Sequence, residues 1–196
     1  MERTSYRKLF AKALDLLKSS GIENVEYDIK AILTDTFGLD LNKFILDMDN
    51  EFEPDKDLEA KYLSRIEKRK MHIPLQYIIN KQNFYGLDFY VDESVLIPRY
   101  DTENIVDRIV KDCKENKCLS VLDLCTGSGC IAVCLKKNGF EKVYAADISD
   151  KALAVAKHNA KLNNADIIFL QSDLYENFPK EIRFDIIVSN PPYIST

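Results

Sequence analysis

With 196 residues, 46% of them hydrophobic and 30% charged, the chain has the make-up of an ordinary globular protein of one to two domains. No window approaches the roughly 18 consecutive apolar residues of a membrane-spanning helix, and Met1 to Tyr6 enter an amphipathic pattern directly, without the apolar core of a secretory signal. A net charge of −5 and an isoelectric point near 5.2 argue against a surface that holds long nucleic acid by broad electrostatics.

Residues 1 to about 73 read as a small helix bundle with short loops. Leu9, Ala13, Leu16 and Leu17 share one helical face, and Gly21 is placed to end that helix in a left-handed conformation. A second helix carries Ile29, Ile32, Leu33 and Phe37 and stops at Gly38, and a short third one spans Leu41 to Leu46. A fourth follows Pro54 and uses Leu58, Tyr62, Leu63 and Ile66; its basic run of Lys61, Arg65, Lys68, Arg69 and Lys70 reads as a solvated face rather than a docking surface.

The character changes near Pro74. Asn83-Phe84-Tyr85, Gly86-Leu87 and Asp88-Phe89-Tyr90-Val91 predict a hairpin with glycine at the turn. Ile97-Pro98-Arg99-Tyr100-Asp101-Thr102-Glu103 leads into a helix reaching about Val110, with Asp101 or Thr102 as its N-cap. Strands follow at 120–124, 142–147, 166–170 and 184–189, with helices at about 128–137 and 150–163. Such alternation predicts a parallel sheet covered by helices.

The cysteines 113, 118, 125, 130 and 134 have neither paired C-x2-C spacing nor a nearby histidine, so no metal site is expected and the thiols read as reduced and mostly buried. His72 and His158 belong to no motif; they read as linker and surface residues.

Four positions carry the chemistry. Asp123-Leu124-Cys125-Thr126-Gly127-Ser128-Gly129 joins a strand to a helix, where glycines permit a tight turn and the close approach of a ligand. It is neither the full dinucleotide fingerprint nor a phosphate-cradling loop, and alone it could be a tight turn and nothing more. Asp147 ends the second strand about 20 residues on, where a carboxylate can accept from two ribose hydroxyls; Ser149 and Asp150 are available to cap the next helix, leaving Asp147 for a ligand. After the third strand Asp173 can take an adenine amino group while Leu174 packs on the ring. After the fourth comes Asn190-Pro191-Pro192-Tyr193, a device for gripping a planar NH2 group, although a proline turn would also end a strand there. Ligands of such sheets bind at the carboxyl ends of the strands, where all four lie. A nucleoside cofactor without phosphates, S-adenosylmethionine, fits them.

These residues carry a family resemblance. Asp-Leu-Cys-Thr-Gly-Ser-Gly-Cys-Ile-Ala (123–132), Ser-Asp-Leu (172–174) and Ser-Asn-Pro-Pro-Tyr-Ile (189–194) resemble the HemK/PrmC protein glutamine N5-methyltransferases, as do Ile73-Pro74-Leu75-Gln76-Tyr77-Ile78 and the Pro-Arg-x-x-Thr-Glu pattern of Pro98 to Glu103. The resemblance covers essentially the whole chain. It implies an α/β fold in which an N-terminal helical bundle (1–73, substrate recognition) is joined by a β-hairpin linker (74–100) to a Rossmann-like class I methyltransferase domain (101–196) with an incomplete parallel sheet. It implies methyl transfer from S-adenosylmethionine to the N5 amide of the glutamine in the Gly-Gly-Gln motif of peptide chain release factors, in the cytoplasm, without a membrane or stable nucleic-acid partner. Cys125, Thr126, Gly127, Ser128, Gly129, Asp147, Asp173, Leu174 and Asn190 are then expected at the cofactor, and Asn190, Pro191, Pro192 and Tyr193 at the acceptor as catalytic residues.

Two departures stand out. Cys125 occupies a position where the family often has glycine, and the family's methyltransferase domain continues past Asn-Pro-Pro-Tyr with further strands and helices. The chain is therefore expected to be truncated, with a sheet edge open to self-association. Arg99 and Glu103 read equally as an ion pair ordering the loop or as cofactor contacts. A nucleic-acid amino-methyltransferase acting on adenine N6 or cytosine N4, and an inactive fragment, are the alternatives.

Overall fold

The computed structural model describes residues 3–116 and 119–191. The chain divides into two compact units that meet between Ile79 and Asn80.

The first unit is helical: α1 (Tyr6–Leu17), α2 (Val25–Phe37), α3 (Leu41–Leu46), α4 (Lys56–Lys70) and α5 (Leu75–Ile79). The side chains of Ser5, Asp40 and Asp55 cap α1, α3 and α4 by accepting from otherwise orphaned backbone N–H groups. Leu9, Ala13 and Leu17 of α1 meet Ile29, Ile32 and Leu33 of α2 and Tyr62 and Ile66 of α4, the apolar faces that the 3.6-residue period marks. Gly38 does end α2 in a left-handed conformation, its N–H on the Thr34 carbonyl. Gly21, also left-handed, lies beyond the end of α1; the Leu17 carbonyl is instead taken by the N–H and hydroxyl of Ser20. Leu75 and Ile78 are buried in the same core, so the compact unit runs to Ile79 rather than 73. The basic run of α4 is not uniformly solvated. Arg69 Nε meets Asp28 Oδ2 at 2.6 Å with both side chains largely covered, and Arg65 donates to Asp35 and Thr36. Two of its five cations thus fasten α4 to α2.

The second unit begins with a two-residue hairpin, β1 (Gln82–Phe84) and β2 (Leu87–Phe89). Tyr85 and Gly86 both have positive φ, 51° and 75°, which suits the right-handed twist of the ribbon. Then come α6 (Tyr100–Asp112), β3 (Ser120–Leu124), α7 (Cys130–Lys137), β4 (Lys142–Asp147), α8 (Asp150–Leu162), β5 (Ile168–Gln171) and β6 (Ile186–Ser189). The strands form one parallel sheet in the order β5-β4-β3-β6. On one face α6, α7 and α8 bury Val106, Ile131, Leu135 and Ala160 against Val121, Val143 and Val188. The other face carries Leu122, Leu124 and Ala146 beneath Tyr144, Phe178 and Phe184. The chain runs outward from β3 to β5, then returns to the opposite side of β3 as β6. That reversal opens a crevice at the carboxyl ends of β3 and β6.

Local boundaries differ from the sequence reading. The cap of α6 is Arg99, without a side-chain bond, and Thr102 lies inside its first turn. Helix α7 starts at Cys130 rather than 128, because Gly129 is its left-handed cap.

Candidate functional site

A cavity of about 480 Å³ lies over the carboxyl ends of the strands. It is lined by Cys125 and Gly127 after β3, Asp147 and Ile148 after β4, Asp173 and Leu174 after β5, and Asn190 and Pro191 after β6; Ser94 to Leu96 close one side. One site thus gathers residues from Ser94 to Pro191, 97 positions apart in sequence. Pro192 and Tyr193 lie outside the described residues, as does Cys118.

The loop after β3 takes its shape from backbone requirements. Cys125, Gly127 and Gly129 have φ of 60°, 55° and 79°. A Cβ on Gly127 would meet nothing within 4 Å, so this glycine leaves open space beside the cavity; one on Gly129 would come to 3.0 Å of the Ala156 Cβ. Gly127 therefore leaves the cavity wall open, while Gly129 lets α8 pack against the loop. Thr126 and Ser128 are buried and do not line the large cavity; they line a recess of about 40 Å³ behind it. Of the five loop residues assigned to a cofactor by sequence, two face the large cavity and three support them.

Asp123 anchors the loop from beneath. Its Oδ2 accepts from the Thr126 hydroxyl at 2.6 Å and the Ala132 N–H at 3.1 Å, whereas Oδ1 has no partner among the described residues. Complete burial pushes this carboxyl up to about 7, against the pull of those two hydrogen bonds, with nearby Asp147 adding to the rise. Burial likewise raises Cys130 to about 12, so that thiol is held in its protonated, unreactive form. Cys134 is buried too, while Cys113 and Cys125 are half-buried.

Asp147 is not left free. Its Oδ2 accepts from the Gly127 N–H at 2.9 Å and its Oδ1 from the Ser149 N–H at 3.0 Å. Ser149 meanwhile caps α8 through the Ala152 N–H. A carboxylate has about four acceptor sites, so Asp147 can brace the loop and still accept from a ligand in the cavity it lines. Asp173 and Leu174 are exposed there, and Leu174 has a φ of 45°. No hydrogen bond to the Asp173 carboxylate is formed among the described residues, so this loop aspartate is not occupied by backbone amides.

Ser189, at the end of β6, donates to the Leu124 carbonyl at 2.7 Å and fixes Asn190 beside the loop after β3. Arg99 and Glu103 form no ion pair among the described residues. Glu103 Oε1 instead accepts from the Tyr85 N–H at 2.7 Å, capping the hairpin turn.

Sequence reasoning missed Asn159. It is fully buried on α8 and makes three bonds: Oδ1 accepts from the Tyr90 N–H, while Nδ2 donates to the Tyr90 and Ser128 carbonyls. A polar residue at i+3 from Ala156 and beside Ala160, inside the apolar stripe of a helix, was the available signal. His158, next to it, is exposed and stacks edge-on with Tyr90. His72 terminates α4 with a φ of 62°.

Residues 8–79 match the PrmC N-terminal domain family and residues 102–196 the Methyltransferase small domain family. The chain is similar to three proteins named release factor glutamine methyltransferase. With that of Flavobacterium psychrophilum it shares 49% identity over 125 residues, covering 62% of this chain and 44% of that protein. With that of Leptospira interrogans it shares 39% over 194 residues, covering 95% and 66%. With that of Koribacter versatilis it shares 37% over 189 residues, covering 96% and 67%. The chain thus spans between about half and two thirds of the length of the relatives it matches.

Proposed function

The chain belongs to the release factor glutamine methyltransferase family, and from that membership we propose that it transfers a methyl group from S-adenosylmethionine to the side-chain amide nitrogen of the glutamine in the Gly-Gly-Gln motif of a peptide chain release factor. The observation that carries the reading is the convergence of Gly127, Asp147, Asp173, Leu174 and Asn190 on one cavity at the crevice beside β3. In this reading the helical unit recognises the protein substrate.

The lining suits such a cofactor. It holds the carboxylates of Asp147 and Asp173 and, among the described residues, no lysine or arginine, so it favours a cation over a phosphate. Asp147 would accept from ribose hydroxyls, Asp173 from the adenine amino group, and Leu174 would cover the ring. When bound, the cofactor supplies a methyl group made electrophilic by its sulfonium.

The protein's share of the work is orientation. An amide nitrogen is a poor nucleophile because its lone pair is conjugated with the carbonyl. Asn190 Oδ1 accepts one N–H of the acceptor amide, and the Pro191 or Pro192 carbonyl accepts the other. Proline has a fixed φ, so it holds that carbonyl stiffly. Tyr193, outside the described residues, is assigned in this reading to the face of that amide. Gripping both N–H groups aims the nitrogen, and such positioning rather than a strong base carries the rate.

The test is transfer of a labelled methyl group from S-adenosylmethionine, offered a release factor and, separately, duplex DNA. Label on the release-factor glutamine alone is expected. Label on DNA alone would overturn the reading in favour of a nucleic-acid amino-methyltransferase.

A further inference from the structure

Thr102 lies in the first turn of α6 and is only 6% exposed. Its Oγ1 accepts a hydrogen bond from Asn190 Nδ2 at 3.3 Å, across 88 residues of sequence. Thr102 and Asn190 both line the recess of about 40 Å³ behind Cys125 and Gly127, whereas Asn190 also lines the large cavity. The amide nitrogen of Asn190 is therefore engaged on the α6 side. Its oxygen has no partner among the described residues.

Helix α6 is well placed to act as a fixed support. Val106 is fully buried against the sheet, and Glu103, the next residue to Thr102, is tied to the Tyr85 N–H. The backbone before Asn190 is fixed independently by the Ser189 bond to Leu124. With the backbone held from β3 and the side-chain nitrogen held from α6, the amide plane of Asn190 has little freedom left.

We propose that Thr102 is a positioning residue for methyl transfer: its hydroxyl fixes where the Asn190 side chain sits at the cavity, so that the asparagine oxygen is within reach of the acceptor amide. This rests on the function proposed above and deepens it. A turned Asn190 would present N–H groups to the N–H groups of the acceptor, donor against donor, and could not aim the nitrogen. The threonine hydroxyl can donate as well as accept, so its contribution is to fix where the asparagine sits; the donors of the acceptor amide then reject the turned form.

Thr102→Val keeps the shape of the side chain and removes the oxygen, while Thr102→Ser keeps the oxygen. The valine variant is expected to lower kcat for release-factor methylation about tenfold, the scale of one lost hydrogen bond. Cofactor affinity by calorimetry should stay within about twofold, which also reports that the site is folded, and the serine variant should retain most of the rate. A second readout is independent of turnover: the side-chain 15N amide resonance of Asn190, identified by its loss in Asn190→Asp, should move in Thr102→Val and hold in Thr102→Ser. Equal rates in the two variants and the unmodified protein, or cofactor affinity falling in step with kcat, would overturn the inference; the latter would assign Thr102 to the cofactor. If the unmodified protein transfers no methyl group, the proposed function fails and the resonance decides the pairing alone: moved by valine, it upholds Thr102 as the support of Asn190; unmoved, it overturns it.

Discussion

Asn190 and Asp123 show how single residues divide the work of the site. Asn190 faces the cavity with its side-chain oxygen unpartnered among the described residues, so in the proposed reaction that oxygen accepts from the acceptor amide. Asn190→Ala should lower methyl transfer roughly 100-fold, the cost of losing orientation, while leaving cofactor affinity nearly unchanged; equal losses in parallel calorimetry and turnover would remove it from that role. Asp123 never reaches the cavity. Its carboxyl is raised from 3.8 in the unfolded chain to about 7 in the fold, so folding takes up a proton between those values. The neutral form is the one the fold favours. Its stabilising effect is full below about pH 4 and is lost as pH rises through about 7, with a slope of up to about 1.4 kcal/mol per pH unit. Asp123→Asn, which mimics the protonated acid, should flatten denaturant midpoints across that range; an unchanged slope would place the titration elsewhere. Cys125 shows why a family position often held by glycine tolerates a substitute: its φ of 60° is strained for a side chain, yet a small thiol fits against Leu122 and Leu124.

At the scale of elements, the loop after β3 is shaped by what lies behind it. Helix α8 approaches so closely at Ala156 that only glycine is accommodated at 129, and Asn159 on the same helix binds both Tyr90 and Ser128. Asn159→Leu should destabilise the second unit by about 2 kcal/mol, since it leaves the buried Ser128 carbonyl and the part-buried N–H and carbonyl of Tyr90 without this partner. Hydrogen exchange at the Tyr90 amide would accelerate with it, and an unchanged rate would contradict this role. Periodicity located helices α1 to α4 of the first unit, each of which buries one face, and apolar runs alternating with helical stretches located the four strands of the large sheet, whose two faces are both covered. The ends were less legible. Asp101 and Thr102 have the chemistry of N-caps, yet Arg99 is the cap of α6, freeing Thr102 and Glu103 for Asn190 and Tyr85. Likewise Pro74 looks like the start of a linker, but Leu75 and Ile78 find apolar space in the helical core and carry the chain onward as α5.

At the scale of the whole molecule, the proposed cofactor site is built from residues of the second unit alone. S-adenosylmethionine at 100 times its dissociation constant should stabilise the unit that binds it by about 2.7 kcal/mol. Hydrogen-exchange protection should rise in residues 80–191, above all at Gly127 and Ser149, whose N–H groups rest on Asp147. Protection confined to the helical unit would place the cofactor elsewhere. Among the described residues β5 and β6 are each paired on one side only, and Ile168 and Ile187 on them are at least half exposed.

The sequence by itself located most of the elements and the carboxyl-end position of the four motifs, because glycine, proline and apolar spacing act through local backbone rules that need no partner; the family followed from the resemblance those motifs carry. Only the tertiary structure decided the strand order β5-β4-β3-β6, which sets the loop after β3 beside Asn190. It also decided which polar groups are already engaged: Asp147 on two backbone amides, Glu103 on the hairpin, Asn159 on two segments, Thr102 on Asn190. Apart from the local contact of Asp147 with Ser149, these pairings join residues 18 to 88 positions apart, and a hydrogen bond between them leaves no period in the chain.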